Sequence, residues 1–203
     1  MTTNAISSAI GNLSAAEKSA RVAAASEIYR QARAQADRAV FAWWKNGELA
    51  ELLFGSKPVV TVGLAVRRET FTRIRAANGQ PALADVPQER DAEEFELHFG
   101  NGIELDVLTS READGKGAIA RFLAKFGEGV QQVEFRCLNV DRAMEILRER
   151  FKMIPIYPEA RGGANGSKVN FILVPVPDAA GENSKVLIEL YELPETTSHS
   201  PLC

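Results

Sequence analysis

The stretch that decides the fold is residues 127–135, which read Gly-Glu-Gly-Val-Gln-Gln-Val-Glu-Phe. A glycine-rich turn leads into a run in which apolar and polar residues alternate, and this period predicts a β-strand with one buried face. Phe135 falls on the buried face, and the opposite face carries Gln132, Glu134 and Arg136. This polar row is rich in reactive groups, so we expect the strand to line a functional groove.

The composition of the 203 residues is that of an ordinary globular protein, with 45% hydrophobic and 25% charged residues. A formal net charge of -3 provides no general attraction to nucleic acid or to an acidic membrane surface. The N-terminal residues show no signal-peptide pattern, and no apolar run is long enough to span a bilayer. We therefore predict a cytoplasmic protein with no nucleic-acid or membrane partner.

Residues 1–57 are predicted to form an N-terminal helical extension, with residues 1–13 frayed. Ser14 and Glu17 have the spacing of a capping box, and an alanine-rich helix would run from there to about Lys45. Such a helix packs closely on a neighbour. Two interpretations stand: packing on its own domain, or a role as a lid or dimerisation arm. We predict a homodimer.

Two later blocks share one order of elements: strand, helix, irregular strand, strand, strand. They are residues 58–108 and 129–192, joined by a connecting helix within 109–128 and followed by a flexible tail at 193–203. This duplication predicts an α+β fold, in which two βαβββ units form a curved, mostly antiparallel sheet around a groove. The groove is predicted to hold a small molecule.

The glycines at 100 and 102 mark a hairpin whose register follows from its alternating strands. A three-residue loop keeps the apolar residues of both strands on one face. The same register places His98 opposite Glu104, and Glu96 opposite Asp106.

Several segments of the second half resemble a known family. They are residues 120–125 (Ala-Arg-Phe-Leu-Ala-Lys), the turn and strand at 127–132, the glycine-rich stretch 159–171, and residues 186–190 (Val-Leu-Ile-Glu-Leu). With the duplicated plan, they make the chain similar to the vicinal oxygen chelate superfamily of glyoxalases and bleomycin-resistance proteins. The second half is most similar to methylmalonyl-CoA epimerase. The resemblance does not extend to residues 1–57.

The resemblance implies four inward residues that hold a divalent metal, commonly His, Gln, His and Glu in the epimerases. The matching positions in this chain are Gly63, Glu104, Gln132 and Glu189. Both imidazoles are missing, so we predict that the protein uses no cofactor and no metal. Glu104, Gln132 and Glu189 remain a weak alternative set of oxygen ligands for a hard cation.

The candidate catalytic residues are Glu189, Glu104 and His98. Two carboxylates in one groove repel each other, which raises the pKa of one of them and produces an acid and a base. His98 would serve as an acid or an orienting group, or would simply pair with Glu104.

The candidate substrate-binding residues share a position on the expected groove or beside it. They are Arg67, Arg136, Gln132, Glu134, Asn170 and Lys168. Pseudo-symmetry makes Arg67 the match of Arg136 and points both inward, where a guanidinium would bind an anion. In the alternative interpretation, each arginine neutralises neighbouring acids.

Two main functions are compatible with these residues. The first is an isomerase, epimerase or lyase that moves a proton next to a carbonyl group of a small molecule or acyl thioester. The second is a non-catalytic ligand-binding protein of the drug-resistance type. In a third hypothesis, the protein is a degenerate homologue without groove chemistry that is retained because its N-terminal helix contacts a partner.

Overall fold

The computed structural model describes residues 3–112, 115–176 and 184–194. Most helices and strands follow the predicted order and lie within about two residues of their expected limits. The long N-terminal helix ends at Ala39 and not near Lys45, and the irregular strands expected at 80–92 and 153–158 do not form as strands. The helices are α1 (Thr3–Asn12), α2 (Lys18–Ala39), α3 (Gly47–Leu52), α4 (Arg68–Ala77), α5 (Ala118–Phe126) and α6 (Val140–Phe151). The strands are β1 (Val60–Ala65), β2 (Glu93–Phe99), β3 (Ile103–Thr109), β4 (Gly129–Arg136), β5 (Arg161–Gly162), β6 (Lys168–Val176) and β7 (Ser184–Glu192).

The strands form one seven-stranded sheet in the order β2-β3-β1-β4-β7-β6-β5. The two halves meet where β1 and β4 pair in antiparallel fashion. Within the halves, β1 pairs with β3 and β4 pairs with β7 in parallel, and the remaining neighbours are antiparallel. The predicted α+β class and the mostly antiparallel sheet are confirmed.

The hairpin between β2 and β3 has the predicted register. His98 faces Glu104, and Glu96 faces Asp106. Asn101 lies in the left-handed region, with φ of 65°, which the loop needs to reverse the chain. Glu94, Glu96 and Asp106 therefore all lie on the polar face of the sheet.

The N-terminal segment is helical, so the prediction of a frayed start was wrong. α1 covers residues that are small and polar in the sequence, but its end buries Ile10 and Leu13 completely. The predicted capping box was also wrong. The Ser14 hydroxyl donates to the carbonyl of Gly11, and α2 begins only at Lys18.

α2 packs on its own domain. Its alanine stripe, which includes Ala25, Ala32 and Ala36, is buried against β1, β3, β4, β6 and β7. Small side chains let the helix lie close to the apolar face of the sheet. The Tyr29 hydroxyl donates to the Val60 carbonyl at 3.2 Å, which ties the helix to β1. This geometry favours the first of the two interpretations of the helix.

The apolar face of the sheet and the helices that cover it form the main core, in which Phe95, Phe135 and Trp43 are the largest fully buried side chains. The opposite face is concave and polar. No helix in the described ranges is long and apolar enough to cross a membrane. The predicted flexible tail beyond Pro194 lies outside the described residues.

Candidate functional site

A cavity of about 490 Å³ lies on the concave face of the sheet. Acidic side chains from four strands line it. They are Glu94, Glu96, Asp106, Glu134 and Glu189. Alternation along each strand explains this convergence, because every second residue points to the same face.

The centre of the cavity lies where β1 and β4 pair. Thr61 is opposite Glu134, and Gly63 is opposite Gln132. A Cβ atom at position 63 would lie only 2.5 Å from Cγ of Gln132. Glycine at this position therefore leaves the space that the glutamine side chain occupies.

Gln132 joins two carboxyl groups. Its Nε2 donates to Oε2 of Glu189 at 2.5 Å and to Oε1 of Glu134 at 3.0 Å. All three side chains are buried. The amide thus holds the two carboxyl groups on either side of one nitrogen, in a part of the cavity that is shielded from water.

Burial changes the acidity of both carboxyl groups. Burial raises the pKa of Glu134 to about 7, with further contributions from the carboxylates of Glu94 and Glu96 and an opposing one from the Gln132 hydrogen bond. Burial also raises the pKa of Glu189 well above its ordinary value, and the Glu134 carboxylate raises it further. The site therefore contains two neighbouring carboxyl groups that both hold a proton more tightly than an exposed glutamate does.

Asp106 and Glu94 extend the acidic group towards β2. Burial, followed by repulsion from Glu94 and Glu134, raises the pKa of Asp106 well above its usual range. Burial and the Glu96 carboxylate raise the pKa of Glu94 to about 7. Oδ1 of Asp106 is buried and has no hydrogen-bond partner in the described residues, so it is free to bind a ligand group.

The two other candidate catalytic residues, Glu104 and His98, lie at the rim of the concave face. The His98 side chain is 62% exposed, and its Nε2 lies 3.1 Å from Oε2 of Glu96. Glu104 accepts a long hydrogen bond of 3.4 Å from the Thr61 hydroxyl. The structure places neither of them among the described residues that line the cavity.

Neither Arg67 nor Arg136 is among the described residues that line the cavity. Arg67 is exposed just before α4, and its backbone amide donates to Glu128. The guanidinium of Arg136 stacks 5.2 Å above the ring of Phe54. Arg67 follows the end of β1, and Arg136 is the last residue of β4, opposite Tyr191.

Asn170 and Lys168 lie outside the cavity as well. The Asn170 amide exchanges hydrogen bonds with the backbone of Tyr157 and is almost fully buried, so it fastens the segment before β5 to β6. Lys168 forms an ion pair with Asp141 at the start of α6. Both residues face a separate, open depression, which also contains Met144.

Several lining residues were not predicted from the sequence. Tyr157 and Phe171 bring aromatic surface to the cavity, and their rings meet edge to face at 6.0 Å. Arg90 comes from the irregular segment between α4 and β2. Alternation along β7 does indicate that Tyr191 lies on the same face as Glu189, and alternation along β6 could have revealed Phe171, but nothing in the sequence indicates that Arg90 lines the groove.

The donor groups do not fit the metal site that the resemblance implies. Imidazole is absent from the described lining of the cavity. Across the described ranges, no three His, Cys, Asp or Glu side chains are arranged to hold a metal ion. Gln132 presents its amide nitrogen, not its oxygen, to the two carboxyl groups.

Solved structures that are similar to this chain include methylmalonyl-CoA epimerases. The Mycobacterium tuberculosis enzyme is 28% identical, with a TM-score of 0.52 over 66% of this chain and 86% of that one. A Streptomyces coelicolor variant in complex with 2-nitronate-propionyl-CoA is 26% identical, with a TM-score of 0.51 over 68% of this chain and 97% of that one. No model of a protein family matches the chain. No curated protein matches it.

The chain thus has the fold of the vicinal oxygen chelate superfamily, as the resemblance predicted. Methylmalonyl-CoA epimerases are among its structural neighbours, and the match leaves about a third of this chain uncovered.

Proposed function

We propose that the protein is an isomerase or epimerase that transfers a proton at a carbon next to a carbonyl group. The observation that supports this function is the buried pair of carboxyl groups, Glu134 and Glu189, held by the Gln132 amide. Two neighbouring carboxyl groups with different affinities for a proton are the groups that such a reaction needs.

In the proposed mechanism, Glu134 is the base and Glu189 is the acid. Ionised Glu134 removes the proton from the α-carbon, and the electron pair of the C–H bond moves into an enolate. Glu189, which neighbours Glu134 on the same face of the sheet, then donates its proton to the same carbon. Each carboxyl group now has the protonation state that the other had, and proton exchange between them restores the starting state.

The proposal requires no metal. A base with a pKa of about 7 is ionised in half of the molecules at neutral pH, which is close to the optimum for a general base. Protonated Glu189 would donate a hydrogen bond to the enolate oxygen until its proton passes to the carbon, and this bond would take the place of a Lewis acid at that oxygen.

The substrate class that we propose is a small carbonyl compound or an acyl thioester. The cavity volume of about 490 Å³ is that of an ordinary small-molecule site. The S. coelicolor neighbour is in complex with a coenzyme A thioester. An acyl group of a few carbon atoms would reach Gln132 at the centre of the cavity.

Exchange of α-protons with solvent deuterium tests the proposal. We expect the protein to accelerate the loss of the C2 proton signal of methylmalonyl-CoA or of the C3 proton signal of 2-oxobutyrate in D₂O, measured by NMR. Glu134→Gln and Glu189→Gln should each reduce the exchange rate by about 10²- to 10⁴-fold.

The matched control is Glu145→Gln, which removes an exposed carboxylate that pairs with Arg142 on α6. It should retain the exchange rate. Folded Glu134→Gln and Glu189→Gln proteins that exchange protons as fast as the unaltered chain would disprove the proposed function.

The aromatic lining supports a second candidate, a ligand-binding protein without turnover. Acidic residues combined with Tyr157, Phe171 and Tyr191 suit an organic cation, because aromatic faces and carboxylates both attract positive charge. Thermal stabilisation by cationic antibiotics, together with no α-proton exchange on any acyl thioester or 2-oxo acid, would favour this candidate.

A further inference from the structure

Arg90 is a cation with an unused hydrogen-bond donor inside the acidic cavity. Its Nη2 is buried and has no hydrogen-bond partner among the described residues. Within the same part of the chain, no carboxylate oxygen lies within ion-pair distance of its guanidinium. A buried donor on a charged group lowers the stability of the fold when it has no hydrogen-bond partner. The position of this nitrogen therefore favours the binding of an acceptor group from a ligand.

Arg90 acts on two carboxyl groups of the cavity through its charge, without forming an ion pair with either. Its positive charge lowers the pKa of both Glu94 and Glu189, against the larger effect of their burial. Arg90 therefore acts on the same carboxyl groups that line the reaction site. A ligand group placed between them would contact the guanidinium and the acids at once.

The segment that carries Arg90 is tied down at its neighbours. Asp91 accepts hydrogen bonds from the Ser110 hydroxyl at 2.6 Å and from the Glu112 amide at 3.1 Å. Arg111 donates to the carbonyl of Val86 at 3.1 Å. These contacts fasten the segment to the end of β3, so the guanidinium is held over the cavity before any ligand arrives.

We infer that Arg90 is an anion-binding, specificity-determining residue that recognises a carboxylate on the ligand. A guanidinium presents parallel N–H donors that match the two oxygens of a carboxylate. The carbonyl group of the same ligand would then lie towards Gln132. Arg90 would thus select carbonyl compounds that carry an acid group.

The charge of the cavity favours a carboxylate over a phosphate. Glu94, Glu96, Asp106, Glu134 and Glu189 line the cavity together with three arginines, Arg90, Arg121 and Arg161, so the acids outnumber the cations, and Arg90 is the arginine whose charge acts on Glu189. A phosphate dianion would meet about twice the repulsion of a carboxylate monoanion at the same distance. Both oxyanions fit the shape of a guanidinium, so the charge decides between them.

The inference rests on the proposed function for what happens to the ligand after it binds. Binding measurements alone can test the role of Arg90. The probes are 2-oxobutyrate, its neutral amide 2-oxobutyramide, and methyl phosphate, titrated by calorimetry or ligand-detected NMR at neutral pH. The variant is Arg90→Met. The control is Arg30→Met, which removes an exposed arginine that pairs with Glu27 on α2.

We expect 2-oxobutyrate to bind more tightly than its amide and than methyl phosphate. Arg90→Met should weaken the binding of 2-oxobutyrate by about 10- to 100-fold, whereas Arg30→Met should leave it unchanged. Arg90→Met is expected to fold, since replacing an unpaired buried charge by an apolar side chain does not remove an internal bond. A thermal melt checks this for each variant.

The inference is overturned if Arg90→Met binds 2-oxobutyrate as tightly as the unaltered chain, or if 2-oxobutyramide binds equally well. Tighter binding of methyl phosphate would also overturn the assignment to a carboxylate. Failure of the proposed function looks different: 2-oxobutyrate binding would depend on Arg90, but no α-proton exchange would occur. Conversely, exchange that depends on Glu189 with binding that ignores Arg90 would refute only the inference.

Discussion

At the scale of single residues, the chemistry of the cavity depends on how Gln132 and Gly63 fit together. Glycine leaves room for the glutamine side chain, and the glutamine amide then contacts Glu134 and Glu189. The family to which the chain is similar commonly has a histidine at the position of Gln132. In this chain, an amide that donates to two carboxyl groups stands at the position where that family commonly has an imidazole.

Glu134→Gln should change how stability depends on pH. Glu134 has a pKa of about 7 in the folded protein, compared with an ordinary value of 4.5. Between these values the folded protein binds a proton that the unfolded chain has released, so its stability falls as the pH rises. The glutamine amide of the variant does not ionise. Between pH 5 and pH 8, the unaltered chain should therefore lose about 2 to 3 kcal/mol more of its stability than the variant does.

Urea denaturation at pH 5 and pH 8 measures this difference. Glu145→Gln, at an exposed position on α6, should show the pH dependence of the unaltered chain. Parallel stability curves for Glu134→Gln and the unaltered chain would show that Glu134 has an ordinary pKa in the folded state.

At the scale of elements, α2 is part of the core. Its alanine stripe lies against five strands, which explains why the stripe contains small residues and not leucine or isoleucine. Close approach of a helix to a sheet needs small side chains at the contact. The alanine-rich pattern predicted close packing correctly, but the sequence did not show which surface the helix would meet.

Ala32→Leu should destabilise the protein by about 1 to 3 kcal/mol, because the added methyl groups have no space between α2 and the sheet. Ala32 is 2% exposed. Ala34, two residues further along the same helix, is exposed, and Ala34→Leu should change stability by less than about 0.5 kcal/mol. Chemical denaturation compares the two variants. Equal effects would mean that α2 does not pack on the sheet as described.

At the scale of the whole molecule, the cavity belongs to both halves of the duplicated fold. Glu94 and Asp106 come from the first half, and Glu134 and Glu189 from the second, with the β1–β4 pairing between them. In this arrangement each half supplies acids and neither supplies an imidazole to the described lining. The halves therefore keep the architecture of a metal site without its nitrogen ligands.

Removal of divalent metal should leave the protein unchanged. After dialysis against EDTA, we expect the same melting temperature and the same rate of α-proton exchange as before, since a bound metal would otherwise contribute its binding free energy to stability. Elemental analysis of the purified protein should find no stoichiometric divalent metal. One metal per chain, with exchange lost on its removal and regained on its return, would contradict the proposed mechanism.

The sequence by itself determined the order of the elements, the α+β class, the hairpin register and the polar row of Gln132 and Glu134. These features follow from local periodicity and turn chemistry, which neighbouring residues specify. Only the tertiary structure decided that Arg90 lines the cavity and that Glu104 and Arg136 are not among its described lining residues. The curvature of the sheet and the path of an irregular loop control these positions, and both depend on packing between residues that are far apart in the chain.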